Sequence, residues 1–364
     1  MTAQLLNFDQ TELAAELHSS VGLPPFRARQ IVQWVYRRRV RDFSRMTDIS
    51  APLRSQLESR YTIYRPEIDT VELSKDGTRK FLFTLEDGSK IETVHIKQPK
   101  RFTLCVSSQV GCAIGCRFCR TALMGLKRHL STYEIVGQVL AVKDYMIENG
   151  FAESEDVFTN IVFMGMGEPL HNYDNVTRAV RILNDNLGHN ISARKITVST
   201  SGLVPAIKRF GEEEVPANLA ISLNATTDEV RTQLIPINKK YPLADLLQAL
   251  RNFPLNRRKR VTIEYVMLQG INDSDEDLAR LPQLLKGIPS KVNLIPYNAN
   301  AGLGLLPPKL EVIERWQNRL LSQSIITTIR WSKGDDISAA CGQLATEKNR
   351  EPRAIPLLAS PSVV

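Results

Sequence analysis

Apolar side chains recur at helical spacing in the first part of the chain. Between Phe26 and Tyr36 they alternate with arginines at intervals of three and four residues, and two prolines precede this stretch. A second helix is expected to begin near residue 50, where the sequence reads Asp48-Ile49-Ser50-Ala51-Pro52-Leu53. The pattern predicts a helical N-terminal accessory domain over residues 1–60.

The pattern changes to short β-rich runs between about residues 68 and 96. Residues 80–85 and 90–96 are two such runs, and the segment Glu86-Asp87-Gly88-Ser89 separates them. An Asp-Gly pair in a short loop between β-rich runs is typical of a hairpin. We therefore predict a β-hairpin connector over residues 61–97.

Beyond residue 100, β-rich runs alternate with helical stretches. The runs cover residues 103–106, 161–164, 195–199, 219–223, 261–267 and 291–295, and the helical stretches cover 132–148, 173–186, 243–253, 275–285 and 308–323. Such alternation predicts a parallel sheet with right-handed crossovers. Six repeats favour an α/β fold with a partial (β/α)6 barrel over residues 98–345, whose active site lies at the carboxyl ends of the strands. Residues 346–364 are polar and punctuated by proline, which predicts a flexible tail.

The composition is that of a soluble globular protein. Of the 364 residues, 43% are hydrophobic and 24% are charged. No apolar run approaches the ~20 residues that a membrane span needs, and the first ten residues lack the basic and apolar segments of a secretory signal. We expect a cytoplasmic protein with no membrane partner.

The net charge of +8 and the sequence pI of about 9.2 favour a polyanionic partner, for which nucleic acid is the usual choice. A solvated basic surface is the alternative explanation. Arginines and lysines cluster at residues 37–41, 239–240 and 257–260, and such clusters can follow a phosphate backbone. The helical N-terminal domain is therefore a candidate RNA contact, although it can equally serve as a packing cap on the barrel.

Cysteines supply the most specific chemical pattern. An odd number of them argues against a disulfide scaffold, and three fall within eight residues; the five are Cys105, Cys112, Cys116, Cys119 and Cys341. The compact three can bind three corners of a [4Fe–4S] cube, which leaves one iron open for a molecule with an amine and a carboxylate. A zinc site with a distant fourth ligand, either Cys105 or a histidine, is the alternative.

The spacing Cys112-x3-Cys116-x2-Cys119 resembles the signature of radical S-adenosylmethionine (SAM) enzymes, in which SAM chelates the open iron. The loop Gly167-Glu168-Pro169 follows a predicted strand and resembles the Gly-Glu-Pro loop that binds the SAM amino group. Polar residues at later strand ends complete a candidate SAM pocket, although each is also explained by helix capping; they are Ser199, Ser222, Leu223, Asn224 and Asn298.

Segments 76–80, 103–112 and 334–344 resemble those of the RlmN/Cfr family, and the resemblance extends over about residues 20–345. It implies a radical SAM methyltransferase that modifies carbon 2 of adenine in large-subunit ribosomal RNA and in transfer RNA. It also implies a [4Fe–4S] cluster, two molecules of SAM per turnover, and an electron donor such as flavodoxin or ferredoxin.

The resemblance assigns roles to three further residues. Cys341 is expected to accept a methyl group from one SAM, and a radical derived from a second SAM activates that methyl group for addition to the adenine ring. Cys105 is expected to attack the Cys341 sulfur, which releases the RNA and leaves a disulfide. Glu92 matches the proposed proton acceptor of the family. Inert buried cysteines and a solvated strand carboxylate are the structural alternatives.

Two positions depart from the family pattern. Arg120 stands where a small residue is expected and Asn224 where a histidine is usual, so both are expected to alter the SAM pocket.

The Cfr-like branch methylates carbon 8 of adenine and gives resistance to ribosome-targeting antibiotics, but segments 91–93 and 238–242 favour the RlmN branch. A non-catalytic RNA-binding protein with a structural metal is the alternative from another class, against which the Cys341 segment argues.

Overall fold

The computed structural model describes residues 2–152, 157–255, 259–299 and 303–346. Its N-terminal part contains the helices α1 (Gln10–Val21), α2 (Pro25–Tyr36) and α3 (Ala51–Glu58), as the helical pattern predicts. The short strands β1 (Ala3–Gln4) and β2 (Tyr61–Thr62) pair in parallel and join the two ends of this part. A capping box formed by Asp9 and Glu12 begins α1 and satisfies backbone donors at its first turn.

The core of the molecule is one sheet of ten strands. Three antiparallel strands occupy one side, namely β3 (Glu67–Leu73), β4 (Arg79–Thr84) and β5 (Lys90–Gln98). The parallel strands follow in chain order and form the partial barrel: β6 (Arg101–Cys105), β9 (Asn160–Phe163), β10 (Ile196–Thr200), β11 (Asn218–Ser222), β12 (Val261–Met267), β13 (Ser290–Pro296) and β14 (Thr327–Ile329). The hairpin β7 (Gln109–Gly111) with β8 (Leu126–His129) lies outside this sheet.

Helices connect the parallel strands, as expected for a parallel sheet. They are α4 (Arg120–Leu123), α5 (Thr132–Glu148), α6 (Tyr173–Asn184), α7 (Val204–Glu212), α8 (Asp228–Leu234), α9 (Leu243–Arg251), α10 (Asp275–Leu284) and α11 (Leu310–Ser322). The six predicted strands and five predicted helices are confirmed, and so is the α/β barrel class. The pattern missed α7, α8, β14 and the β7–β8 hairpin, because segments this short carry too few periods to be recognised.

The hairpin connector is continuous with the barrel. Strand β5 pairs antiparallel with β6, so that Val94 lies opposite Cys105. Strand β6 then pairs in parallel with β9, and Cys105 lies opposite Val162. This register places the β5 residues, including Glu92, beside the first strand of the barrel.

The basic cluster at residues 37–41 contacts the barrel. Arg39 and Arg41 approach the carboxylate of Asp144 on α5 at 3.3 and 3.4 Å, and Arg65 approaches it at 3.0 Å. The guanidinium of Arg38 lies 3.9 Å from the Trp34 ring centroid. Part of this cluster therefore forms ion pairs within the molecule, and its contact with RNA stays a prediction.

Two other predictions fall on residues beyond the described ranges. Arg257 and Arg258 of the second basic cluster lie outside them, and so does the predicted tail from residue 347 onward. Among the helices that are described, none combines the length and apolarity that crossing a bilayer requires.

Candidate active site

The three clustered cysteines lie on the loop after β7. Gly111 begins this loop at φ +75°, and a side chain there would meet the Gly125 carbonyl oxygen at 1.7 Å, so only glycine fits. Within the loop, the Cys112 N–H donates to the Gly125 carbonyl at 3.0 Å and the Arg117 N–H donates to the Leu234 carbonyl at 3.0 Å. These two hydrogen bonds join the loop to the residue before β8 and to the last residue of α8.

Burial raises the pKa of all three loop thiols, to about 12 for Cys112. The sulfurs of Cys112 and Cys119 raise the pKa of Cys116 further, because three neighbouring thiolates repel one another. All three are free thiols. A bound cationic centre would stabilise the three thiolates, which burial by itself disfavours.

Zinc and a four-iron cluster make different demands on this loop. Structural zinc sites take four protein ligands, whereas three cysteines bind three corners of a [4Fe–4S] cube and leave one iron open. Among the described residues, no three His, Cys, Asp or Glu side chains are placed closely enough to hold a single metal ion.

A cavity lies between the cysteine loop and the carboxyl ends of strands β9 to β13; we call it the upper cavity. Six of the seven predicted SAM contacts line it, namely Gly167, Glu168, Ser199, Ser222, Asn224 and Asn298. Leu223 does not: its side chain is fully buried in the core, and its carbonyl accepts a hydrogen bond from Arg231 at 3.1 Å. Leu223 therefore stays a predicted SAM contact whose side chain lies outside the cavity lining.

Backbone hydrogen bonds hold both carboxylate oxygens of Glu168 in the upper cavity. Its two oxygens accept hydrogen bonds from the Leu170 N–H at 3.0 Å and the Ser201 N–H at 2.7 Å. Its own N–H donates to Gln109 at 2.8 Å. Burial raises the pKa of Glu168, and the N–H donors act in the opposite direction. A ligand ammonium group in the cavity would form an ion pair with this carboxylate and stabilise its charged form.

Three residues that line the upper cavity, Ser201, Asn224 and Glu264, have a side-chain polar atom with no hydrogen-bond partner among the described residues. Two of these atoms belong to side chains whose other polar atom is held by a hydrogen bond. One is Nδ2 of Asn224, whose Oδ1 accepts from the Val266 N–H at 2.8 Å. The other is Oε2 of Glu264, whose Oε1 accepts from Asn293 at 3.0 Å. Buried polar atoms normally have partners, so this cavity is suited to a polar ligand.

Arg231 supports the walls of the upper cavity, although no sequence pattern pointed to it. Its side chain is fully buried and donates to the carbonyls of Leu223 at 3.1 Å and Ser201 at 2.6 Å. It also donates to Asn238 at 2.8 Å. Burial lowers the pKa of Arg231 to about 10, and the Cys116 sulfur acts in the opposite direction. One buried cation thus braces two strand ends behind the cysteine loop.

A second cavity, of about 560 Å³, occupies the barrel interior; we call it the lumen cavity. Cys105 lines the lumen cavity, and Cys341 lines both cavities. Asn298 fixes the Cys341 segment, since its Nδ2 donates to the Cys341 carbonyl at 3.1 Å. The structure therefore brings together the cysteine loop and the two remote cysteines, which are separated by more than two hundred residues in sequence.

Arg330 is the second functional residue that sequence reasoning missed. It lines both cavities, and the sulfur of Cys341 raises the pKa of its guanidinium. Burial raises the pKa of Cys105 to about 12, with a further contribution from Cys341, while Arg330 acts to lower it. The only feature of the sequence that could have identified Arg330 is its position directly after the short strand β14.

Glu92 lies near this centre but lines neither cavity. Its Oε1 is 3.3 Å from the Lys80 ammonium, and its Oε2 accepts from the Ala345 N–H at 2.9 Å. Burial raises the pKa of Glu92, and Lys80 lowers it. Glu92 therefore contacts the segment that carries Cys341 rather than the cavity itself.

The two positions that depart from the family pattern have different surroundings. Asn224 lines the upper cavity as expected, in a left-handed backbone conformation with φ +55°. Arg120 does not line it; its N–H donates to the Gly342 carbonyl at 2.8 Å. Arg120 begins α4, where its backbone joins the cysteine loop to the Cys341 segment, and its effect on the SAM pocket stays a prediction.

Comparisons with known proteins agree with this geometry. The family model "Ribosomal RNA large subunit methyltransferase N-terminal domain" matches residues 3–63, and the model "Radical SAM superfamily" matches residues 106–281. Two similar curated proteins are named "Dual-specificity RNA methyltransferase RlmN". The one from Anaeromyxobacter dehalogenans is 47% identical over 95% of this chain and 92% of its own length, and the one from Geotalea uraniireducens is 49% identical over 93% and 95%.

A solved structure of a radical SAM methyltransferase from Sphaerobacter thermophilus superposes on this chain with a TM-score of 0.86. It is 44% identical and covers 94% of this chain and 99% of its own. The similarity therefore includes the N-terminal helices, the hairpin and the barrel together.

Proposed function

Because this chain belongs to the RlmN family of the radical SAM superfamily, we propose that it methylates carbon 2 of adenine in large-subunit ribosomal RNA and in transfer RNA. The observation that carries the proposal is the position of Cys341, which lines both the cavity of the cysteine loop and the lumen cavity of Cys105. A methyl carrier has to meet a methyl donor on one side and a resolving thiol on the other.

The residues of the upper cavity fit the cofactors that the family implies. Cys112, Cys116 and Cys119 would hold the cluster, and Glu168 would bind the SAM ammonium group. The unpartnered Nδ2 of Asn224 offers a donor to the same ligand. When bound, a [4Fe–4S] cluster reduced by a donor such as flavodoxin or ferredoxin, together with two SAM molecules per turnover, supplies a methyl group and a carbon-centred radical.

Cys341 acts as the nucleophile in this proposal, because an electron-poor ring carbon does not itself attack a methyl donor and a thiolate does. Arg330 lines both cavities, and its charge acts to lower the pKa of Cys105. The Asn298 amide holds the Cys341 backbone against the upper cavity. The sulfur is thereby kept where both SAM and RNA can reach it.

Cys105 resolves the covalent RNA adduct. Its thiolate attacks the Cys341 sulfur and the bond from that sulfur to the methylene carbon breaks. The bonding electron pair stays on the carbon, which takes up a proton to become the methyl group, while the two cysteines form a disulfide that is later reduced. Glu92, whose carboxylate contacts the segment that carries Cys341, accepts the proton that the adenine ring loses.

The test combines two cysteine variants with mass spectrometry. Anaerobically reconstituted enzyme, SAM with a deuterated methyl group and substrate RNA should yield 2-methyladenosine. Cys341→Ala should retain its iron and form neither methylcysteine nor adduct, whereas Cys105→Ala should accumulate RNA bound to Cys341. Methylation at carbon 8 would assign the chain to the other branch, and turnover by Cys105→Ala would contradict the division of roles.

A further inference from the structure

Trp331 is the exposed tryptophan of this chain. Its side chain is 53% exposed, whereas Trp34 is 7% exposed and Trp316 is fully buried. Trp331 also lines the lumen cavity, ten residues before Cys341 in sequence. An exposed indole beside a reactive cavity marks an interaction site more specifically than an isolated apolar side chain elsewhere on the surface.

Cations line the same cavity as this indole. They are Arg101, Lys291 and Lys333, and the first two are exposed to solvent. Lys333 forms an ion pair with Asp76 at 3.8 Å, a distance that gives little neutralisation at the surface. We call these three cations and Trp331 the indole rim. Its charge is complementary to a phosphate backbone.

The chemistry of the target explains why an aromatic side chain belongs at this place. An adenine that reaches Cys341 has to leave its base stack, and unstacking costs free energy. Aromatic side chains recover part of that cost by stacking on a neighbouring base, without regard to its sequence. The 53% exposure of the Trp331 side chain leaves surface of the indole open to a base.

We propose that the indole rim is a surface to which the substrate RNA binds. An unpaired nucleotide next to the target adenine stacks on Trp331, and Arg101, Lys291 and Lys333 bind the adjoining phosphates. This inference rests on the proposed function for its RNA partner. It goes beyond that function by placing the contact on the barrel segment that carries Cys341, rather than on the N-terminal helices.

Intrinsic fluorescence tests the stacking contact, because the other two tryptophans are buried. The probe is a synthetic RNA hairpin with one unpaired adenine in its loop, titrated into the full chain. Wild-type emission should be quenched, and Trp331→Phe, which keeps Trp34 and Trp316, should lose that quenching. By fluorescence anisotropy of labelled RNA, Trp331→Ala should bind about tenfold more weakly, and Trp331→Phe within about threefold of wild type.

Charge variants and a surface control complete the test. Arg101→Gln with Lys291→Gln should make the salt dependence of binding shallower by about 1.4 in logarithmic slope, the value for two single-strand phosphate contacts. Leu321→Ala, which removes an exposed apolar side chain of α11, should bind as wild type does. Equal affinity of Trp331→Ala and wild type, with no quenching, would overturn the inference while leaving the proposed function intact. Methylation of Cys341 without any RNA binding by the wild type would overturn the proposed function itself.

Discussion

Replacing Arg231 with methionine should loosen the strand ends that form the wall of the upper cavity. The guanidinium of Arg231 is fully buried and makes four hydrogen bonds, three of them to backbone carbonyls. The carbonyls of Ser201 and Ser222 belong to segments that also line the cavity. Methionine fills a similar volume but donates nothing, so these buried acceptors would lose their partner.

The size of the effect follows from the number and type of these contacts. A hydrogen bond that involves a charged group contributes roughly 1.5–3 kcal/mol. The variant also removes the desolvation cost of a buried cation, which offsets part of the loss. A net loss of about 3 kcal/mol in the free energy of unfolding is expected. With about 2.1 cal/mol/K of unfolding entropy per residue over 364 residues, this lowers the melting temperature by roughly 4 °C.

Two measurements separate bracing of the cavity from a general loss of stability. Thermal unfolding of the cluster-free protein should show the shift, and equilibrium dialysis of the reconstituted enzyme should show SAM binding about tenfold weaker, equivalent to about 1.4 kcal/mol. Arg251→Met, a change at an exposed arginine of α9, is the matched control and should alter neither value. If Arg231→Met unfolds within 1 °C of wild type, or binds SAM equally well, the bracing role is refuted.

Three further expectations concern other contacts in the molecule. Asp144→Asn should destabilise the protein by about 3–5 kcal/mol, because it leaves the buried Arg65 without its carboxylate, while the exposed Glu148→Gln should change stability little; chemical denaturation measures both. Alkylation of Cys105 by iodoacetamide should accelerate as the pH rises toward its pKa of about 12, and Arg330→Met should move the profile to higher pH; a plateau near pH 9 would contradict this. Cys116→Ala should abolish the cluster, whereas wild type should contain about four irons after anaerobic reconstitution, and zinc without iron in wild type would contradict the assignment.

Local sequence patterns could predict the residues that act as compact groups. Cys112, Cys116 and Cys119 share one loop, and the loop of Gly167 and Glu168 follows one strand, so short-range spacing identified them. The strand ends of the upper cavity were predictable for a related reason. Parallel strands bring their carboxyl ends to the same side, and six of seven candidate positions line the cavity.

The remaining residues of the site depend on tertiary contacts that spacing does not encode. Arg231 lies on α8 and Arg330 follows β14, and both elements are too short to give a periodic signal. A buried arginine also contradicts the usual expectation that this side chain lies at the surface. The burial of the Leu223 side chain, between the cavity-lining Ser222 and Asn224, was likewise not predictable from spacing alone.

The high pKa of Cys105 bears on the order of events in the proposed reaction. A thiol whose pKa is about 12 is almost entirely protonated at neutral pH, so Cys105 is a weak nucleophile in the free enzyme. That restraint protects the pair from premature oxidation, because disulfide chemistry needs a thiolate. Arg330 is the cation that lines both cavities within the described chain, and its charge opposes the effect of burial on Cys105. The balance between burial and this one guanidinium therefore sets when Cys105 becomes reactive, and the shift of the alkylation profile in Arg330→Met measures that balance directly.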